Sequence, residues 1–211
     1  MANLRLLIGT LLLLLFPLFG FAAPYAAIVI DAKTGAVLHA ENENTRLHPA
    51  GLTKLATLYE VFSAVEAGEI KLDDMVRVSR NAAETSPVNL ELREGQRLMV
   101  RDLIRATAVM GANDTATVLA EAISGSEAPF AKRTNGTAKE LGMTRSTFKN
   151  PHGLTERGHL STARDIATIM QALDKDFADY MHIFTKAFTK LSTTRTIQHS
   201  GRRLIKDYKE A

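Results

Sequence analysis

The 211-residue chain has no cysteine and no tryptophan. Without thiols there is no disulfide framework, no thiolate zinc site and no cysteine nucleophile. An excess of charge of one sign is also missing: 26 Lys and Arg stand against 23 Asp and Glu, a net charge of +3. That balance is too even for a nucleic-acid-binding surface. The six histidines show no paired ligand spacing, so neither a metal site nor a cofactor is expected. With 45% apolar and 23% charged residues, the chain reads as one globular domain rather than a disordered tail or a polytopic membrane protein.

Long hydrophobic runs are confined to the start. Arg5 precedes the uncharged stretch Leu6 to Phe21, and Gly20-Phe21-Ala22 places small residues where an export signal is cut. Residues 1–22 are therefore expected to be a signal peptide cleaved after Ala22, and residues 23–211 the mature domain. The alternative is an uncleaved anchor, because no further charge appears until Asp31 and a span needs only about 20 apolar residues. Against it, Pro17 would interrupt the helix, and Tyr25 to Asp31 is better used as a strand.

Beyond the leader, Tyr25 to Asp31 is a short β-branched run, Ala32-Lys-Thr-Gly35 a turn, and Ala36 to Glu41 a second extended segment, together a hairpin. After Pro49, Leu55, Leu58, Tyr59, Phe62 and Val65 recur at three- and four-residue intervals, which predicts a helix from Leu52 to Ala67 ended by Gly68. Val76 to Val78 and Glu94 to Met99 suggest short strands. Helices are expected over Val100 to Met110, Asp114 to Ile123, Pro129 to Leu141, and from Ser161-Thr-Ala-Arg-Asp165 into Ile166 to Leu173. After Asp174 the pattern loosens, with Leu191, Ile197, Leu204 and Ile205 spaced as possible strand residues.

One segment is chemically informative. In His48-Pro-Ala-Gly-Leu-Thr-Lys54, Gly51 and Lys54 stand three apart at a helix start. In the penicillin-binding serine enzymes, which this segment resembles, a serine and a lysine at that spacing share a helix face, where a lysine held in a dry site has its pKa lowered enough to activate the hydroxyl. Here the lysine is present and the hydroxyl is not. Thr53 is no substitute, because two residues on from position 51 it projects about 200° around the helix.

From Tyr25 to about Phe188 the chain resembles the serine D-alanyl-D-alanine carboxypeptidases of the penicillin-binding superfamily. The resemblance runs collinearly through Asp31-Ala-Lys-Thr-Gly-Ala-Val-Leu38, Pro49-Ala-Gly-Leu-Thr-Lys-Leu55, Val100-Arg-Asp-Leu-Ile104, Asn113-Asp114, Ala138-Lys-Glu-Leu-Gly-Met143, Asn150-Pro-His-Gly-Leu154 and Ser161-Thr-Ala-Arg-Asp165. It implies the α/β penicillin-binding and β-lactamase-type serine transpeptidase fold, with a mostly antiparallel sheet and a helical subdomain. It also implies export to the bacterial cell envelope and peptidoglycan stem peptides or muropeptides as partners.

The resemblance assigns Lys54 to the base position, Gly51 to the vacated nucleophile position and Gly111 to a vacated second serine in the Ser-x-Asn motif, here Gly111-Ala112-Asn113. Asn113 would grip a substrate backbone or else serve as a helix cap. His152 would contact a peptide at the cleft entrance or else hold its loop. The third motif, Lys-Thr-Gly on a late strand, is expected beyond the segment Thr196 to Tyr208. Lys33-Thr34-Gly35 has the same letters in the wrong place, and the fold is therefore expected to lack its C-terminal strands. Asn135-Gly-Thr137 matches a glycosylation sequon too short to carry weight.

Three functions follow from this pattern. The first is an inactive muropeptide-binding or regulatory protein, the second an active carboxypeptidase, and the third a truncated copy without a task. Because the third motif is absent from these residues, Gly51→Ser combined with Gly111→Ser is predicted not to restore acyl-serine formation. A hydroxylamine-labile penicillin adduct on the double variant would contradict that expectation.

Overall fold

The computed structural model describes residues 24–192 and 194–207. The expected signal peptide, residues 1–22, lies outside them, as does the tail beyond Asp207.

The opening hairpin forms as β1 (Ala27–Ile30) and β2 (Val37–Glu41), antiparallel, with Ala27 opposite Glu41 and a bulge between Val29 and Ile30. Its turn is an Asp-centred one. Asp31 Oδ1 accepts from the Thr34 amide and hydroxyl, each at 2.7 Å, and Gly35 takes a left-handed φ of +72°. Lys33-Thr34-Gly35 is thereby a turn and nothing more.

A single 3₁₀ turn, Ala50–Leu52, leads into α1 (Thr53–Glu66). This helix is the axis of the molecule: Leu58, Val61, Phe62 and Ala64 are all buried. β3 (Met75–Arg77), paired with β4 (Arg97–Met99), α2 (Arg80–Glu84) and α3 (Val100–Arg105) contact α4 (Asn113–Ser124), and α4 and α5 (Glu127–Glu140) pack against α1. On its other side lies α6 (Ala163–Asp176), followed by a 3₁₀ segment, Ala178–Ile183. The apolar stripes of these helices meet in one main core containing Phe62, Leu103, Ile104, Leu119 and Leu173. Phe62 stacks on Tyr180 with ring centroids 4.4 Å apart.

The expected antiparallel pairing is present as three ribbons among the described residues, β1–β2, β3–β4 and β5–β6 (Phe188–Lys190 with Thr196–Gln198). Two expectations need correction. Val100 to Met110 is not a uniform helix, because after α3 it widens into a π-turn, Ala106–Met110, closed by Gly111 at φ +75°. Leu204 and Ile205 fall in α7 (Arg202–Asp207), not in a strand. There they sit side by side among Arg and Lys, residues that favour a helix.

Glu60 places a carboxylate on the buried side of α1, only 2% exposed. Arg133 of α5 donates to it from Nε at 2.8 Å and reaches Glu69 with its other nitrogens. Removing the cation strands a buried charge. Arg133→Ala is expected to lower unfolding free energy by about 2–4 kcal/mol in denaturant titration, and adding Glu60→Gln to recover part of that loss.

Candidate active-site cleft

Lys54 emerges from the first turn of α1 into a cleft of about 700 Å³. Its lining includes the 3₁₀ turn with Gly51 and Leu52, together with Val88, Met110, Gly111, His152, Phe184, His199 and Ser200. The lysine side chain is nearly enclosed, 6% exposed. Its Nζ donates to Asn113 Oδ1 at 2.6 Å and to the His152 carbonyl at 2.7 Å. Among the described residues no carboxylate lies within 4.0 Å of it. Burial without a counter-charge disfavours the ammonium and pushes Lys54 down from 10.5 to about 8.

Each partner is itself held. Asn113 begins α4 but caps nothing: while its oxygen takes Lys54, its Nδ2 donates to Pro87 O at 2.5 Å. The next residue, Asp114, is buried and accepts from the amides of Leu90 and Leu92, tying that loop to α4. Burial raises the Asp114 carboxyl despite these amide donors. The loop carrying His152 is latched onto α1 by Thr57, whose hydroxyl donates to Pro151 O at 2.6 Å. Within the loop, Asn150 Oδ1 accepts from the Gly153 amide. Gly153, at φ +86°, lies so close to the 3₁₀ turn that a β-carbon there would overlap the Ala50 carbonyl.

The His152 ring is engaged behind the cleft wall. Nδ1 accepts from the Leu154 amide at 3.1 Å, and Nε2 is 3.5 Å from Glu127. Burial raises the Glu127 carboxyl, but His152 and the donors Thr117 and Asn81 outweigh it and hold the group below the usual range. His152 thus contributes its carbonyl to Lys54, while its ring fixes the loop. The sequence offered no signal for that division, since a main-chain contact leaves no residue signature.

Gly51 and Gly111 both line the cleft, and a β-carbon on either would meet no atom within 4 Å. The space is open at both positions, although φ +75° would strain a side chain at Gly111. The neighbouring hydroxyls are occupied elsewhere: Thr53 Oγ1 bonds His159 Nε2 at 2.9 Å, and Thr107 Oγ1 pairs with Thr115. Ser200, in the late segment where no motif marks it, also lines the cleft. Its amide donates to Val109 O at 2.9 Å, while Lys54 Nζ makes its bonds to Asn113 and His152. Asn135, at the sequon, spends its amide on both backbone groups of Phe148 and is not a free acceptor.

A buried lysine three residues beyond a cleft-lining turn, bridged to an asparagine at the head of a second helix, defines the penicillin-binding type of serine transpeptidase scaffold. Comparison with known proteins places the chain within that class. It belongs to the D-alanyl-D-alanine carboxypeptidase family, peptidase family S11, whose family model matches residues 22–210. The D-alanyl-D-alanine carboxypeptidase DacF of Bacillus subtilis is 38% identical over 183 residues, covering 82% of this chain and 47% of that protein. Penicillin-binding protein 5 from Haemophilus influenzae superposes with a TM-score of 0.81 at 29% identity, over 89% of this chain and 56% of that one. Penicillin-binding protein D2 from Listeria monocytogenes, solved in an ampicillin-bound form, gives 0.75 at 28% identity over 83% and 72%. The chain spans about half the length of the curated relatives it matches.

His159 supplies a pH test of this architecture. It is 1% exposed, its Nδ1 accepts from the Lys149 amide and its Nε2–H donates to Thr53 at the head of α1. Burial pushes it from 6.5 down to about 4. Between those values the unfolded chain binds a proton that the folded chain refuses. The stability contribution is therefore complete above pH 6.5 and is lost as pH falls toward 4, by about 2–3 kcal/mol. Denaturant titrations from pH 7 to pH 4 should show a shallower decline for His159→Gln than for the parent chain.

Proposed function

We propose that this chain binds D-alanyl-D-alanine-terminated peptides of the peptidoglycan stem in the Lys54 cleft without turning them over through an acyl-serine. The observation that carries this reading is the pairing of an intact polar frame with an empty nucleophile position. Lys54 and Asn113 are bonded to each other and the cleft is open above Gly51, yet no side chain projects from position 51. A serine scaffold without its nucleophile loses several orders of magnitude in rate, whereas binding needs only the shaped cleft and its polar contacts. A relative of similar fold, penicillin-binding protein D2 of Listeria monocytogenes, is solved in an ampicillin-bound form, which supports ligand binding by this scaffold.

The retained groups suit a peptide terminus. Asn113 Nδ2 has a second hydrogen to offer a carbonyl, and Lys54 can place positive charge near a carboxylate at neutral pH. In this reading residues 1–22 direct export to the cell envelope, where such peptides occur. The family also supports a second reading, an active carboxypeptidase, which release of D-alanine separates from the first.

Calorimetry with a stem pentapeptide is expected to give measurable binding, with no D-alanine released on prolonged incubation. Gly51→Leu projects into the open space without touching the core and should weaken binding at least tenfold while leaving thermal stability unchanged. D-alanine release would sink the non-catalytic reading, and equal binding by the Gly51→Leu chain would remove the cleft from it.

A further inference from the structure

In an enzyme of this class the lysine would stand behind a serine side chain. Here the residue three positions before it is Gly51. The β-carbon direction of Gly51 is empty to 4 Å, and both residues line the same open cleft. Among the described residues Lys54 Nζ has two partners, the Asn113 amide oxygen and the His152 carbonyl, and both are neutral acceptors. A neutral amine has two N–H groups for those two acceptors and one lone pair left over. With no carboxylate within 4.0 Å among the described residues, nothing in that shell stabilises a third proton as an ion pair would.

We propose that Lys54 is itself a nucleophile, whose amine accepts an acyl group from an activated acyl donor entering the cleft over Gly51 and retains it as an amide. The proposal rests on the open cleft of the reading above but not on which peptide the cleft holds. The Nζ lone pair adds to the acyl carbon. The donor's leaving group departs with the electrons of the broken carbon–oxygen bond, and the amine proton passes to water. The new bond is carbon–nitrogen.

The site accommodates that product. After acylation Nζ keeps one N–H for Asn113 or His152, and the acyl oxygen and its substituent occupy the volume a serine side chain would fill. An ester on serine is an activated intermediate that water clears, whereas an amide is not, so the reaction stops after one equivalent.

The lowered pKa of about 8 agrees with this geometry. Every other lysine whose side chain is described is exposed. A pKa of about 8 leaves roughly a tenth of the Lys54 amine uncharged at pH 7. Lys54 combines a free lone pair with access from the cleft.

The test uses p-nitrophenyl acetate on the full chain from pH 6.5 to pH 10, with acetylation of each lysine quantified by peptide mass spectrometry. Lys54 is expected to acetylate at least tenfold faster than any exposed lysine at pH 7.5, with a rate midpoint near pH 8. The adduct should survive neutral hydroxylamine. Lys54→Met should lose the fast phase and keep the slow surface acetylation. Should that variant fold poorly, Gly51→Leu retains the lysine, covers its approach and should slow its acetylation at least tenfold. Acetylation of Lys54 no faster than that of the exposed lysines, or a hydroxylamine-labile adduct on a serine in its place, would overturn the proposal. Because acetate is small and makes no stem-peptide contacts, failure of pentapeptide binding leaves these readouts unchanged, and the two ideas fail separately.

Discussion

The arrangement around the cleft depends on how one ammonium group is satisfied after it is taken out of water. Lys54 is 6% exposed and has no acidic partner among the described residues. Keeping it protonated at neutral pH costs on the order of 3 kcal/mol, given a pKa near 8 in place of 10.5. Two short hydrogen bonds to neutral oxygens offset part of that cost, and each requires a separate segment of chain to be brought to Nζ. The head of α4 supplies Asn113, and the loop after Lys149 supplies the His152 carbonyl.

That requirement explains the density of polar ties at this end of the molecule. Thr57 grips Pro151, Gly153 presses on the Ala50 carbonyl, and Asn113 holds Pro87 with the half of its amide that Lys54 does not use. These contacts are buried, so leaving any of them unmade would expose a polar group to an apolar interior. The cleft is therefore preorganised by the same bonds that fold it. Gly51 takes no part in this network, which is why its lack of a side chain leaves the frame intact and the space above it open.

Much of the fold was legible in the chain because its signals are local. The periodicity of Leu55, Leu58, Tyr59 and Phe62 yields α1, and the alternation around Asp31 to Gly35 yields the hairpin. The segment of Gly51 and Lys54 marks a helix start, with Gly51 in the 3₁₀ turn that leads into α1. Less legible were the π-turn before Gly111 and the short α2, where no periodic pattern distinguishes a widened or single-turn helix. The late residues His199 and Ser200 also escaped notice as cleft-lining residues. Their place depends on the Ser200 amide meeting Val109, a main-chain contact between segments far apart in sequence.

The sequence by itself determined which chemical groups the chain possesses: Lys54 and Asn113, and glycine rather than serine at positions 51 and 111. Side-chain identity is written residue by residue, and no packing can add a hydroxyl. Only the tertiary structure decided what those groups experience. It gave the Asn113 oxygen to Lys54 and not to a helix cap. It gave His152 two tasks through different atoms and removed Thr53 to a bond with His159. Burial, proton affinity and the volume left over Gly51 arise from contacts between distant segments, and they exist only once those segments have packed.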